Sequence, residues 1–232
     1  MLIDSLENKQ KILNHFLESC LLEDWSEKAL EEAFEKSEID IKFLPFIFEN
    51  GVAEIADLFI KNIDEKMLEK AKYLDFDAMK IRDKIKNLVK IRLDLNQEFK
   101  PQIQKLINFY SQPMNSRLAL KNSYKAADLM WKIAGDNATD FNYYSKRIIL
   151  AKIYIRTLSC FAKDGSENSQ KTLDLLDKEI EKVMKIAAFK FKVKSSCQKA
   201  SKLLKKAAIF KSDLKENPKD FIRKLPFFRL YK

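Results

Sequence analysis

Glycine and proline are scarce in this sequence, with 3 and 5 in 232 residues. Turn-rich sheet architectures need many of both, and runs of β-branched residues are few, so the composition points to an all-α chain. No stretch of about 18 uncharged apolar residues occurs, which excludes a helix spanning a bilayer. Histidine occurs once, as His15, on an apolar stripe beside Phe16, where a structural role suits it better than a catalytic one. The 3 cysteines, Cys20, Cys160 and Cys197, are odd in number and unclustered, as expected of indifferent thiols in a reducing compartment. There is no CxxC, HxxxH or paired ExxH for a metal, no glycine-rich phosphate loop and no GxSxG elbow. No metal, cofactor or catalytic residue is therefore expected, and the chain reads as a binding protein, not an enzyme. Asp4 and Glu7 precede any basic residue, which argues against a signal or transit peptide and favours a bacterial cytoplasm, peripheral on the inner membrane.

What the chain has in plenty is charge, unevenly placed. Residues 1–50 hold 5 lysines and 12 acidic residues, net −7. Residues 51–185 are net +6, and residues 186–232 hold 14 basic and 3 acidic residues, net +11. The length suits one core-bearing domain. The pattern divides it into an acidic subdomain over 1–50, a helical body over 51–188 and a basic tail over 189–232.

Apolar residues recur at helical spacing throughout. Ile12, Leu13, Phe16, Leu17 and Cys20 form a first stripe, and Ser26 can cap a second helix on Ala29, Leu30, Ala33 and Phe34. Gly51 precedes a long helix whose face includes Ile55, Phe59, Ile63 and Met67. Pro101 and Pro113 suit helix starts. Beyond Asp140 the polar positions shrink to Lys152, Arg156, Ser159 and Lys163, so that helix is apolar nearly all round and expected at the centre of the bundle. The last amphipathic helix of the body is predicted over 168–185.

The junction WKIAGDNATDFNYYSKR, from Trp131 to Arg147, carries the densest signal. Gly135 suits a helix stop, and Thr139 and Asp140 can cap the next helix. Asp136 and Asp140 could form an acid–base pair, but cap and turn roles explain both more simply. The order Asp128, Met130, Trp131, Ala134-Gly135-Asp136, Thr139-Asp140-Phe141-Asn142, Tyr144, Lys146-Arg147 resembles the signature of a ubiquinone-biosynthesis accessory family, the lipid-binding Coq-nine proteins. Leu150-Ala151, Tyr154 and the later run from Thr172 to Asp177 continue the likeness, which spans about Ile12 to Met184. The family carries Trp where this chain has Tyr143, an aromatic that contacts a partner enzyme in the family.

The resemblance implies a TetR-like bundle of about nine helices with a basic amphipathic C-terminal helix. It also implies a non-enzymatic protein that binds an isoprenoid quinone intermediate or a phospholipid and presents it to the di-iron demethoxyubiquinone hydroxylase. Expected pocket walls are Leu58, Phe59, Ile85, Val89, Phe109, Ile149 and Ile153. The expected partner surface is Met130, Asp140, Tyr143, Tyr144 and Arg147, since aromatics and arginine carry interface energy most often. A homodimer is expected.

Two other readings remain open: a TetR-like ligand-sensing transcription regulator, and a membrane adaptor without a lipid cargo. The regulator would place its DNA-reading helices in the segment of net −7, and Glu27, Glu31, Glu32, Glu35, Glu38 and Asp40 would repel phosphates, so no nucleic acid is expected as partner. In the tail, Leu203, Leu204 and Ala207 fall on one side of a helical pattern with Lys202 and Lys206 flanking. Phe227 and Phe228 then lie among cations, as the water–lipid boundary favours. These seven residues are the expected contacts with a membrane surface. A core-capping helix with a solvated lysine face, or a site for RNA or an acidic protein, are the alternatives for the same pattern.

Overall fold

The computed structural model describes residues 5–76, 78–136 and 141–185 of the chain. Contacts divide the chain into two units, Met1–Ile180 and Glu181–Lys232. In the second unit the described residues, 181–185, are helical, with Lys185 and Glu181 paired at 2.8 Å one turn apart.

The first unit is all-α among its described residues. Its helices are α1 (Leu6–Glu23), α2 (Glu27–Lys36), α3 (Leu44–Ile47), α4 (Val52–Ala71), α5 (Ile81–Leu95), α6 (Lys100–Ser111), α7 (Ser116–Ile133), α8 (Phe141–Phe161) and α9 (helical from residue 170). Short 3₁₀ turns lie at Ile41–Phe43 and Glu167–Ser169.

Local chemistry accounts for most boundaries. Ser5 and Ser26 hold extended backbone and accept from the amides of Asn8 and Ala29, both at 3.2 Å, which satisfies donors that an α-helix leaves free at its N-terminus. Pro101 stands in the first turn of α6, where its missing N–H costs nothing. Gly135, at φ +86°, follows the C-cap of α7 in the left-handed conformation that ends many helices.

Helix α1 packs on α2, α4 and α6, while α4 packs on α5 and α7, and α7 on α8. Phe16, Trp25, Phe59 and Phe99 meet edge to face in sequence, with ring centroids 5.0, 6.0 and 5.5 Å apart, and fasten the first two helices to the body. Cys20 is buried in this region, and burial pushes its thiol up to about 12.

Helix α8 departs from the central position that its sequence implies. Leu150, Ile153, Tyr154, Thr157 and Phe161 are buried, but Ile148 is 60% exposed and Ile149 41%. The surplus of apolar residues faces outward and, with α7, forms a surface groove. Among the described residues no helix is long and apolar enough to cross a membrane.

Candidate functional site

The turn from α7 into α8 is built around one buried cation. Arg147, 1% exposed, donates from Nε to Asp128 Oδ1 at 2.5 Å and from Nη1 to Asp136 Oδ2 at 3.1 Å and the Tyr143 carbonyl at 3.0 Å. Its guanidinium lies 3.3 Å from the centre of the Tyr143 ring, whose hydroxyl donates to the same Asp128 oxygen at 3.0 Å. Lys132 takes the other Asp128 oxygen at 2.7 Å, and Lys146 pairs with Asp136 at 2.7 Å. Trp131 donates its indole N–H to the Lys146 carbonyl at 3.2 Å.

Burial pushes the Asp128 carboxyl up and the Arg147 guanidinium down. Hydrogen bonds from Arg147, Lys132 and Tyr143 outweigh burial at Asp128, which ends below the usual carboxylate range, and the bonds of Arg147 to Asp128 and Asp136 carry it above its own. Asp136 thus works through ion pairs across the corner. Asp128, Asp136 and Arg147 form a charged clamp there, and Asp140, the other half of the acid–base pair considered from sequence, lies outside the described residues.

The residues expected at a partner surface divide accordingly. Met130 is fully buried and Arg147 nearly so; neither presents its side chain to solvent, because α7 and α8 close over both. Tyr143 is half-buried against Arg147, and Tyr144 stands 59% exposed with its ring 5.1 Å from that of Tyr143. Asp140 lies outside the described residues, as do Lys202, Leu203, Leu204, Lys206, Ala207, Phe227 and Phe228.

The expected pocket walls are spread over several places. Phe59 sits in the aromatic chain between Trp25 and Phe99, and Leu58 lines a groove beside α7 with Asp57, Asp64 and Asn122. Ile85, Val89 and Ile153 are buried, Phe109 is half-buried against Tyr110, and Ile149 is exposed. A second buried cation lies on the same helix as Ile85 and Val89. Arg92, fully buried, pairs with Asp64 and stacks 5.0 Å from the Tyr154 ring centre. Its Nε and Nη2, the Tyr154 hydroxyl and Asn96 Oδ1 have no hydrogen-bond partner among the described residues.

The sequence reading missed the groove between α7 and α8. It has a volume of about 710 Å³ and a floor of Leu120, Tyr124, Ile148, Ala151 and Ile155. Arg117, Lys121, Lys125, Lys152 and Arg156 complete its lining, and no carboxylate takes part. Cations at every fourth residue, 117, 121 and 125, were the available signal, since that spacing puts them on one helical face. Among the described residues no group of three or more His, Cys, Asp or Glu side chains is placed to hold a metal.

This arrangement defines a TetR-like helical bundle. The chain superposes on the crystal structure of a TetR transcriptional regulator from Nitrosomonas europaea with a TM-score of 0.58 and 18% identity, over 75% of this chain and 95% of that one. That likeness concerns the fold alone. The Coq-nine resemblance is borne out, since the COQ9 family model matches residues 116–187, which include α7, the Arg147 clamp and α8.

Among curated proteins, the chain is 22% identical over 194 residues to the "Probable ubiquinone biosynthesis protein coq9, mitochondrial" of Dictyostelium discoideum, covering 79% of this chain and 62% of that protein. It is 36% identical over 84 residues to the "Ubiquinone biosynthesis protein COQ9, mitochondrial" of Rattus norvegicus, covering 36% and 27%. It is 25% identical over 183 residues to the COQ9-B protein of Xenopus laevis, covering 76% and 62%. The chain thus spans less than two thirds of the length of these relatives. Their names also correct the expected location: the relatives are mitochondrial proteins, which conflicts with a bacterial cytoplasm. The expectation rested on Asp4 and Glu7, and acidic residues at those positions do not report the compartment of the folded body.

Proposed function

We propose that this protein is an accessory component of ubiquinone biosynthesis that binds an isoprenoid quinone intermediate and offers it to a membrane-associated hydroxylase, without a reaction of its own. The COQ9 likeness over residues 116–187 supports the pathway. The observation that carries the lipid reading is the Arg92 cluster. Two guanidinium donors of Arg92 and the Tyr154 hydroxyl are buried without a hydrogen-bond partner among the described residues, on the two helices that also bury Ile85, Val89 and Ile153. A quinone ring needs donors for its carbonyls within an apolar lining, and a prenyl tail gains about 25 cal/mol for each Å² it removes from water. Tyr144, exposed and braced by Tyr143 over the Arg147 clamp, is the surface aromatic best placed to meet the hydroxylase. The basic segment 195–232 supplies attraction to anionic lipid, each cation adding about 1 kcal/mol near such a surface.

A transcription-regulator role is disfavoured because Glu27, Glu31 and Glu35 are exposed along α2, where phosphates would have to approach.

Mass spectrometry of the natively purified chain tests the reading. A retained prenylated quinone is expected, with its yield reduced in Arg92→Met; no retained prenyl or acyl chain would overturn it. Tyr144→Lys is expected to weaken capture of the hydroxylase at unchanged helical content.

A further inference from the structure

From the groove between α7 and α8 we infer that the folded body carries its own docking face for an anionic phospholipid bilayer, separate from the basic tail. The face consists of two helices lying side by side, each with a row of cations: Arg117, Lys121 and Lys125 on α7, Lys152 and Arg156 on α8. All five are exposed. Lys121 pairs with Asp57 and Arg156 with Glu179, both at 3.1 Å, whereas Arg117, Lys125 and Lys152 have no ion pair among the described residues. The remaining lining is apolar or aromatic, and Leu120 and Ile148 are 64% and 60% exposed.

Three occupants could cover such a strip, and the charges choose among them. A second copy meeting it about a two-fold axis would set cationic rows against cationic rows, and the carboxylates beside them, Asp57 and Glu179, are already paired within the chain. An acidic helix of another protein would need cations held in register. Lysines on long flexible stems, here without an ion pair among the described residues, are point charges that suit mobile headgroups. Exposed Leu120 and Ile148 among the cations, with Tyr124 in the same lining, match a helix pair lying in the plane of the water–lipid boundary.

The inference is distinct from the tail-mediated attraction proposed above, and the experiment separates the two. The full chain is sedimented with vesicles of phosphatidylcholine alone and of phosphatidylcholine mixed with phosphatidylglycerol, and hydrogen exchange is followed in both. Binding to the mixed vesicles is expected, weakening as salt is raised, with new protection in peptides covering 117–125 and 148–156. Lys125→Glu/Lys152→Glu is expected to lower the affinity about tenfold or more, and Lys125→Arg/Lys152→Arg to retain it. Both lysines are exposed and have no ion pair among the described residues, so helical content is expected to persist. Should the reversed pair fail to fold, Lys125→Ser/Lys152→Ser takes its place. Unchanged affinity with protection absent from both helices overturns the docking face while leaving a tail-mediated contact standing. Unchanged vesicle binding with loss of an acidic protein partner assigns the groove to that partner and overturns it equally.

Discussion

Arg147 draws its two carboxylates, Asp128 and Asp136, from the end of α7 and the turn beyond it, while its own backbone belongs to α8. Removing the cation leaves Asp128 and Asp136 with only the more exposed Lys132 and Lys146 to balance them in a partly dry corner. Arg147→Met is therefore expected to cost about 3–5 kcal/mol in unfolding free energy, measured by urea titration. Arg147→Lys is expected to recover little, because one ammonium cannot serve both acids and stack on Tyr143. A loss under about 1 kcal/mol would show that the corner is held by packing instead. A second carboxylate, Asp164, gives a pH signature. Burial pushes it up, but bonds from the hydroxyls and amides of Ser166 and Thr172, at 2.5 to 2.9 Å, outweigh that and hold it well below the carboxylate range. A depressed folded value contributes stability that is full above the unfolded value of about 3.9 and lost as pH falls through the folded one. Asp164→Asn should lower the urea midpoint at neutral pH, and its gap to the parent should close as pH drops below about 4. A gap constant with pH would contradict the assignment. The sequence showed that the junction from Trp131 to Arg147 was special and offered caps as the reason. It could not show that Arg147 turns inward, because that depends on acids 11 and 19 residues away meeting it across a turn.

At the scale of elements, helix starts and stops were the most readable. Ser26, Pro101 and Gly135 act through their own backbone or the next turn, so nearby residues suffice to predict them. Gly51 does more than open α4. It has φ +52°, and a Cβ placed there would lie 2.9 Å from Glu27 Oε1, so α2 passes close to the start of α4. Gly51→Ala should cost about 1–3 kcal/mol, read as a lowered thermal midpoint. Glu27→Ala in the same chain should relieve only part of this, since the backbone conformation remains; full recovery would mean that the clash alone mattered. Helix α8 was misjudged for an instructive reason. Periodicity reports how much of a helix avoids water, not what covers it, so an outward apolar strip and an inward one look alike. The same ambiguity scattered the seven expected pocket residues, from the aromatic chain at Phe59 to the exposed Ile149.

For the molecule as a whole, class and kinship were legible and geometry was not. Few glycines, few prolines and steady helical spacing suffice for an all-α bundle. The AGDxxTDFN core pointed to the COQ9 likeness, and the family model matches residues 116–187, which contain it. Charge carried over unevenly. The acidic first segment forms exposed rows on α2, as its composition suggests. Five cations of the body, in a segment of net charge only +6, line the α7–α8 groove together in a way no regional total reveals. Such a face is useful only if its two rods stay in step. The Arg147 rivet joins them at one end, tying side chains of α7 and its following turn to α8, so neither can slide along the other without tearing charged contacts. A fluid, negatively charged sheet would then meet both cationic helices as one body, with only the lysine tips left free to follow its headgroups.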